Sequence, residues 1–309
     1  MKRKIIKLGQ ATYVTSLPSK WIREYNLEKG DYLEMQQKDD SLIISTNKIS
    51  PRTEVFVDLF DYNERTIRNV LNQTYRKGFD VIRLKISKTD QLDIVRELVR
   101  DTMLGFEIVR EDENFCVVEN IAEPSPEKYD VLLRKLFLTI KTEAEEILGE
   151  IQQNKKFNLK RRKDNKNFVD NYTNFIRRLV LKNKIKGSRD SYLLYYLISQ
   201  LSLIHHAYYY MCAYLEKQKN NNLDLKVIEL LEQANKLFCL FYDSFYKGDL
   251  NLAHDIQVKK KELVNEYLYP LLAENTGVNA VALYHIGEVI RTTQMASTVL
   301  FGFVDEEVK

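Results

Sequence analysis

Residues 3–45, RKIIKLGQATYVTSLPSKWIREYNLEKGDYLEMQQKDDSLIIS, constrain the fold more than any other stretch of this 309-residue chain. Lys4-Ile5-Ile6-Lys7 leads into Gly9-Gln10, a turn signal, and Thr12-Tyr13-Val14-Thr15 is β-branched and aromatic, which favours a strand. Pro18 suits the first position of a helix, where its missing N–H costs nothing. Trp21, Ile22 and Tyr25 then share one helical face, and Lys20 and Arg23 point elsewhere. Gly30-Asp31 ends the helix unit and starts Tyr32-Leu33-Glu34-Met35, and Asp39-Asp40-Ser41 turns the chain into Leu42-Ile43-Ile44. The predicted order is strand, turn, strand, short helix, turn, hairpin. A unit of about 45 residues buries little apolar surface by itself. Its strands also leave open edges, which a partner chain can close.

Leu8-Gly9-Gln10, Ser16-Leu17-Pro18-Ser19-Lys20-Trp21 and Leu27-Glu28-Lys29-Gly30-Asp31 occur in that order, and this segment resembles the SpoVT/AbrB DNA-binding domain. The resemblance implies a small β-barrel of swapped hairpins made by two interleaved chains, hence a homodimer through residues 1–47. It also implies contact with DNA. The residues placed to make it are Arg3, Lys4 and Lys7 on the first strand, Gln10, Thr12 and Ser16 beside it, and Lys20 and Arg23 on the short helix. The plainer reading is a solvated basic face on a barrel that only dimerises.

The remaining composition is that of an ordinary globular chain, 29% charged and 44% hydrophobic. A net charge of +3 argues against binding a polyanion over the whole surface, so any nucleic-acid contact must come from a local patch. Cys116, Cys212 and Cys239 sit in apolar surroundings with no C-x-x-C pair, as small core residues of a reducing, cytoplasmic protein would. MKRKIIKLG has a basic start without the apolar stretch of a signal peptide. Ser191–Leu215 has no Asp, Glu, Lys or Arg and is long enough to span a bilayer. Gln200, Ser202, His205 and His206 at its middle argue instead for a helix buried at the centre of a bundle, without membrane insertion.

Asn47–Arg52, with Pro51, reads as a linker. Residues 53–122 then alternate as βαβαββ: strands at 54–60 and 79–86, helices at 63–77 and 92–104, and strands near 106–110 and 115–120. Gly78 caps the first of these helices. This is a small α/β sandwich with helices on one face, a spacer or dimer support with no phosphate loop and no catalytic pairing. Pro124-Ser125-Pro126 marks the next boundary, and residues 127–305 read as helix throughout. Two groups of three helices, near 131–151, 164–184 and 188–218, then 223–247, 249–274 and 278–303, suggest an antiparallel bundle with an internal duplication.

Phe168-Val169-Asp170-Asn171-Tyr172, Phe175-Ile176-Arg177-Arg178, Tyr246-Lys247-Gly248-Asp249-Leu250-Asn251-Leu252-Ala253 and His285-Ile286-Gly287-Glu288 fall at repeat spacing. In them the helical part resembles the PhoU family of phosphate-signalling proteins. The whole chain is similar to archaeal phosphate uptake regulators with the same tandem layout. The fold class is then α+β: an AbrB-like barrel, a βαβαββ sandwich and a six-helix PhoU-like bundle of two three-helix repeats. The implied function is transcriptional regulation of phosphate uptake. The alternative is an adaptor that docks on a phosphate transporter or histidine kinase without touching DNA.

The PhoU family binds metal clusters through an E/D-x-x-x-D motif on the third helix of each repeat. The aligned positions here are Ser202 and His206, then Tyr284 and Glu288, so three of four carboxylates are missing. No cofactor is expected. His206, His285 and Glu288 are left as candidate nitrogen–oxygen ligands, provided that they converge. In place of the acids, Tyr208, Tyr209 and Tyr284 are expected to pack the groove, with His206 hydrogen-bonded. A second basic cluster runs through Lys155, Lys156, Lys160, Arg161, Arg162, Lys163 and Lys166 to Arg177, Arg178, Lys182, Lys184, Lys186 and Arg189. It reads as a solvated face, or as a platform for DNA, an anionic membrane surface or an acidic partner. Glu143, Glu145 and Glu146 read as a solvated helix face, and no enzyme motif is present.

Overall fold

The computed structural model describes residues 2–38, 40–46, 48, 52–122, 128–182, 185, 191–218 and 222–303. Asp39, Asn47, Pro51, Pro124-Ser125-Pro126, Lys184, Lys186 and Arg189 lie outside the described residues. The chain divides into two compact units between Thr53 and Glu54.

The first unit contains β1 (Ile6–Leu8), β2 (Thr12–Val14), α1 (Ser19–Glu24), β3 (Glu34–Lys38) and β4 (Ser41–Ser45). Ile6 pairs with Val14 and Leu8 with Thr12, while Met35 pairs with Ile44 and Gln37 with Leu42. Directly opposed residues of antiparallel strands share a face. One face of each hairpin is therefore mostly apolar: Ile6, Leu8 and Val14 in the first, Met35, Leu42 and Ile44 in the second, with Tyr13 and Ile43 on the opposite faces. Pro18 stands at the N-cap, one residue outside α1, not at its first helical position. Trp21 and Tyr25 approach on one face of that helix with ring centroids 5.6 Å apart. The turn into β3 uses Gly30 at φ +102°, a conformation that favours glycine, and the Glu28 N–H donates to Asp31 Oδ2 at 2.7 Å.

The two hairpins do not join, and among the described residues one chain closes no barrel. Not one described residue of this unit is buried; Ile6, Leu8, Met35 and Leu42 are each more than half exposed. Isolated two-stranded hairpins are marginal in water. The sequence pattern thus appears as predicted, yet among the described residues the apolar faces it creates stay largely exposed.

The second unit opens with β5 (Glu54–Asp58), α2 (Glu64–Arg76), β6 (Val81–Lys85), α3 (Thr89–Thr102), β7 (Phe106–Asp112) and β8 (Phe115–Asn120). The sheet order is β5-β6-β8-β7, with β5 parallel to β6 and the other pairs antiparallel. Asn63 caps α2, its side chain accepting from the Thr66 N–H at 3.0 Å. Ile67, Leu71 and Tyr75, spaced by four, face the sheet and share a core with Ile82, Leu84, Val95 and Leu98. The helix α3 begins three residues before the expected Leu92. Gln91 explains this: its Oε1 accepts from the N–H groups of Ser87 and Lys88, and its Nε2 donates to the Phe60 carbonyl.

The helical part follows as α4 (Tyr129–Gln152), α5 (Leu159–Leu181), α6 (Ser191–Leu215), α7 (Leu225–Lys247), α8 (Leu250–Glu262), α9 (Tyr269–Glu274) and α10 (Gly277–Ser297), ending in a 3-10 turn at Thr298–Phe301. One hydrophobic core runs through these helices. The α6 helix packs along α10 and α5, and α7 packs against α10 and α4. The rod expected over 249–274 is interrupted, because Leu263–Leu268 is π-helical just before Pro270. Pro270 has no N–H to offer the preceding turn and its ring crowds the carbonyl four residues back, which a widened turn relieves. The α5 helix starts at Leu159, earlier than the expected 164, because the Asn158 side chain accepts from the Arg161 N–H.

No described helix is long and apolar enough to cross a membrane, including the charge-free α6. That helix is not buried all round as its composition suggests: Tyr192, Leu203 and Tyr210 form an outward face. Cys116 and Cys212 are buried, unpaired thiols, and burial pushes the Cys116 thiol up to about 12.

The α/β layer and the helices form one compact unit, with α2 and α3 lying against α5. Gly78, at φ +95°, shows how close the two parts come, since a Cβ there would stand 2.7 Å from Lys182 Cγ.

Candidate functional site

The N-terminal basic residues occupy the positions expected of them in sequence. Arg3 and Lys4 precede β1, Lys7 lies on it, Gln10 is in the turn, Thr12 opens β2, Ser16 follows it, and Lys20 and Arg23 ride on α1. All eight are exposed. They do not form one face. Lys7 pairs across the hairpin with Tyr13, whereas Thr12 pairs with Leu8 on the other, apolar side. A single duplex lying flat against this hairpin meets Lys7 or Thr12, not both.

The second basic cluster departs from its sequence reading. Arg162, Arg177 and Arg178 are buried, not solvated, and so is Glu143. Helical spacing gives the reason. On α4, Glu143 lies three residues after Ile140 and four before Ile147, inside the apolar stripe, so the fold must bury it. Its Oε2 stands 2.7 Å from Nε2 of the buried His205 and accepts from Asn165 Nδ2 at 3.1 Å. Arg162 spans the same α4 face, with Nη1 donating to Glu146 at 3.1 Å and Nη2 to Glu150 at 2.6 Å, while Glu143 Oε1 lies 3.7 Å away. Carboxylates at 143, 146 and 150 thus hold one arginine in the bundle interior, where either charge alone would be costly.

One turn after Lys166, Asp170 accepts from the Lys166 ammonium at 2.7 Å and bonds His206 Nε2 at 2.8 Å. Burial pushes the Asp170 carboxyl up, but the His206 and Lys166 partners outweigh it and hold it well below the usual carboxylate range. Further along α5, Arg178 donates to the carbonyls of Tyr75 and Phe79, each at 2.9 Å, and to Asp80 at 2.8 Å. Its guanidinium also lies over the rings of Tyr75 and Phe106. Lys182 reaches the same Asp80 oxygen at 2.7 Å. These bonds tie α5 to the α/β layer, helped by Asn174 Nδ2 donating to Asn72 and to the Thr102 carbonyl, each at 3.1 Å. Of the basic cluster, Lys155, Lys156 and Lys160 are exposed and have no ion-pair partner among the described residues.

The candidate metal ligands do not converge. His206 turns to Asp170, His285 packs edge-on to Tyr284, and Glu288 is exposed. Among the described residues no group of three or more His, Cys, Asp or Glu side chains is placed to hold a metal ion. Tyr284, expected to fill the groove, is 57% exposed; Tyr208 is buried and donates to Asn235 Oδ1 at 2.7 Å. The signal that sequence reasoning missed was a charge inside an apolar repeat: Glu143 between Ile140 and Ile147, and Arg178 between Phe175 and Leu179.

A cleft of about 630 Å³ lies where α7 faces the π-helical turn, rimmed by Glu229, Glu262, Glu266 and Glu274 with Lys226. No family model matches the chain, and neither a curated protein nor a solved structure is significantly similar to it.

Proposed function

We propose that this chain is a dimeric DNA-binding regulator, and that its regulatory role concerns phosphate uptake. The observation that carries the proposal is the first unit: its apolar hairpin faces are uncovered, while every basic and polar residue named as a DNA contact is exposed. A second copy of the same hairpins is the simplest cover for Ile6, Leu8, Met35 and Leu42, giving the interleaved barrel of the SpoVT/AbrB type. Dimerisation doubles Lys4, Lys7, Lys20 and Arg23 on one assembly, where they are available for the phosphate contacts that supply most of the affinity for a duplex. The link to phosphate rests on the resemblance of the helical part to PhoU proteins. In this reading the helices sense or bind a signalling partner and catalyse nothing.

Two measurements test it. Sedimentation of the full chain should give a dimer, and Leu8→Lys with Leu42→Lys should give a monomer. A genome-wide binding profile should place sites near phosphate transporter genes. A wild-type monomer at micromolar concentration, or a profile without enrichment, rejects the proposal.

The outward face of α6 favours a second reading. Tyr192, Leu203 and Tyr210 recur at about three and two helical turns on a charge-free helix, a surface suited to a protein partner. An adaptor docking there on a phosphate transporter or histidine kinase would co-purify with that component and show no duplex preference.

A further inference from the structure

Arg177 differs from its neighbour Arg178 in one respect. Both belong to α5 and both are buried, but Arg178 has Asp80 and two carbonyls. Arg177 is 7% exposed, and its Nε is sealed from solvent with no acceptor. Among the described residues no carboxylate stands within ion-pair distance of it; its one close partner is the ring of Tyr195 on α6, 5.8 Å from the guanidinium carbon. A second cation makes the position worse. Arg76, at the end of α2, reaches α5 and donates from Nε to Asn174 Oδ1 at 2.8 Å. Asn174 lies one turn before Arg177, on the same helix face. The Arg76 charge bears directly on Arg177, and after burial it is the next cause drawing the Arg177 guanidinium down to about 10.

The nearest acid does not resolve this. Asp170 lies two turns earlier on α5 and is felt by both arginines, but its two oxygens are taken by Lys166 and His206. The junction of α2, α5 and α6 therefore holds two guanidiniums and lacks one anion. A buried cation left uncompensated is costly, so such a pair is unusual unless something completes it.

We propose that Arg76 and Arg177 bind a small tetrahedral oxyanion of the phosphate or sulfate class. Planar guanidinium forks bond oxyanions through paired N–H donors, and two of them match a doubly charged ligand. The Tyr195 side chain, whose ring lies 5.8 Å from the Arg177 guanidinium carbon, brings a phenol O–H donor to the same junction. Arg76 is half-buried, which leaves the ligand a way in from solvent. This inference stands on these contacts alone and holds whether or not the chain regulates phosphate uptake.

The test is isothermal titration of the full chain, in a buffer free of phosphate and sulfate, with inorganic phosphate and then with sulfate. Saturable binding of one ion per chain is expected, and the ratio of the two affinities tells which oxyanion the site prefers. Arg177→Gln and Arg76→Gln should each weaken binding about tenfold or more, as expected for losing a charge-assisted contact. Melting provides a second readout. Arg177→Met should melt no lower than wild type in the oxyanion-free buffer and gain nothing from phosphate, whereas wild type should gain. Failure of either ion to bind saturably at millimolar concentration, or affinity unchanged in both glutamine variants, would overturn the proposal.

Discussion

Two stretches of this chain are rich in Lys and Arg, and the fold treats them in opposite ways. In the first unit Arg3, Lys4, Lys7, Lys20 and Arg23 are all exposed. Along α5, Arg162, Arg177 and Arg178 are drawn into the interior. The difference is the company each charge keeps. The first-unit cations lie on or beside short strands and a six-residue helix, and among the described residues none of that unit is buried. The α5 arginines lie on a helix that buries Val169, Phe175, Ile176 and Leu179 and is enclosed by α2, α3, α4 and α6. A helix buried on most sides buries its charges too, and each then requires a partner.

The most severe test of this contrast is Arg178→Ala. It removes a fully buried cation from Asp80 and takes its N–H donors from the Phe79 and Tyr75 carbonyls, the latter keeping the Gly78 N–H. We expect a loss of about 4 kcal/mol in unfolding free energy, read by urea denaturation. A loss under about 1 kcal/mol, typical of an exposed charge, would show that α5 does not depend on its internal pairs.

Glu143→Ala comes next, at about 3 kcal/mol, because it leaves His205 and Arg162 facing an apolar gap. The double replacement Glu143→Leu with Arg162→Met should recover much of that loss, since a well-packed apolar pair substitutes for a buried ionic one. A double-mutant cycle measures the coupling directly.

Asp170→Asn sharpens the comparison through pH. The folded-state Asp170 carboxyl titrates below its unfolded value. Its contribution is therefore complete above the ordinary carboxylate range and is lost as pH falls through the folded value. The variant should be less stable than wild type near pH 7, and the gap should narrow once pH drops below about 4. A gap independent of pH would assign the loss to packing.

The smallest effect on stability belongs to the first unit. Lys4→Ala, Lys7→Ala and Arg23→Ala should each change unfolding free energy by less than about 0.5 kcal/mol. In the regulator reading, each should also lower the slope of log affinity for duplex DNA against log salt by about one. Binding unchanged in the triple variant would favour the adaptor.

The order of elements was legible in the sequence because period-two and period-3.6 patterns are strong here, from Thr12-Tyr13-Val14 to the stripe at Ile140, Ala144 and Ile147. Boundaries slipped where a side chain, not hydropathy, starts the helix, as Gln91 does for α3 and Asn158 for α5. The π-helical turn was not legible, since Pro270 announces a disturbance without saying which form it takes. Glu143 and Arg178 were misread because charge alone suggests solvent, and only their register within an apolar stripe reveals burial. The pairing of Arg76 with Arg177 depends on how α2 meets α5, about a hundred residues along the chain, and no local pattern encodes it.

Trp21 is the chain's only tryptophan, and it sits in the first unit beside Tyr25. The aromatic residues of the second unit are tyrosine and phenylalanine. Light absorbed selectively by indole therefore reports on the first unit alone, while circular dichroism is dominated by the helices of the second. A single denaturation followed in both channels separates the melting of the two units. If the hairpins exchange between two chains, diluting the protein will shift the indole emission and leave the helical signal unchanged.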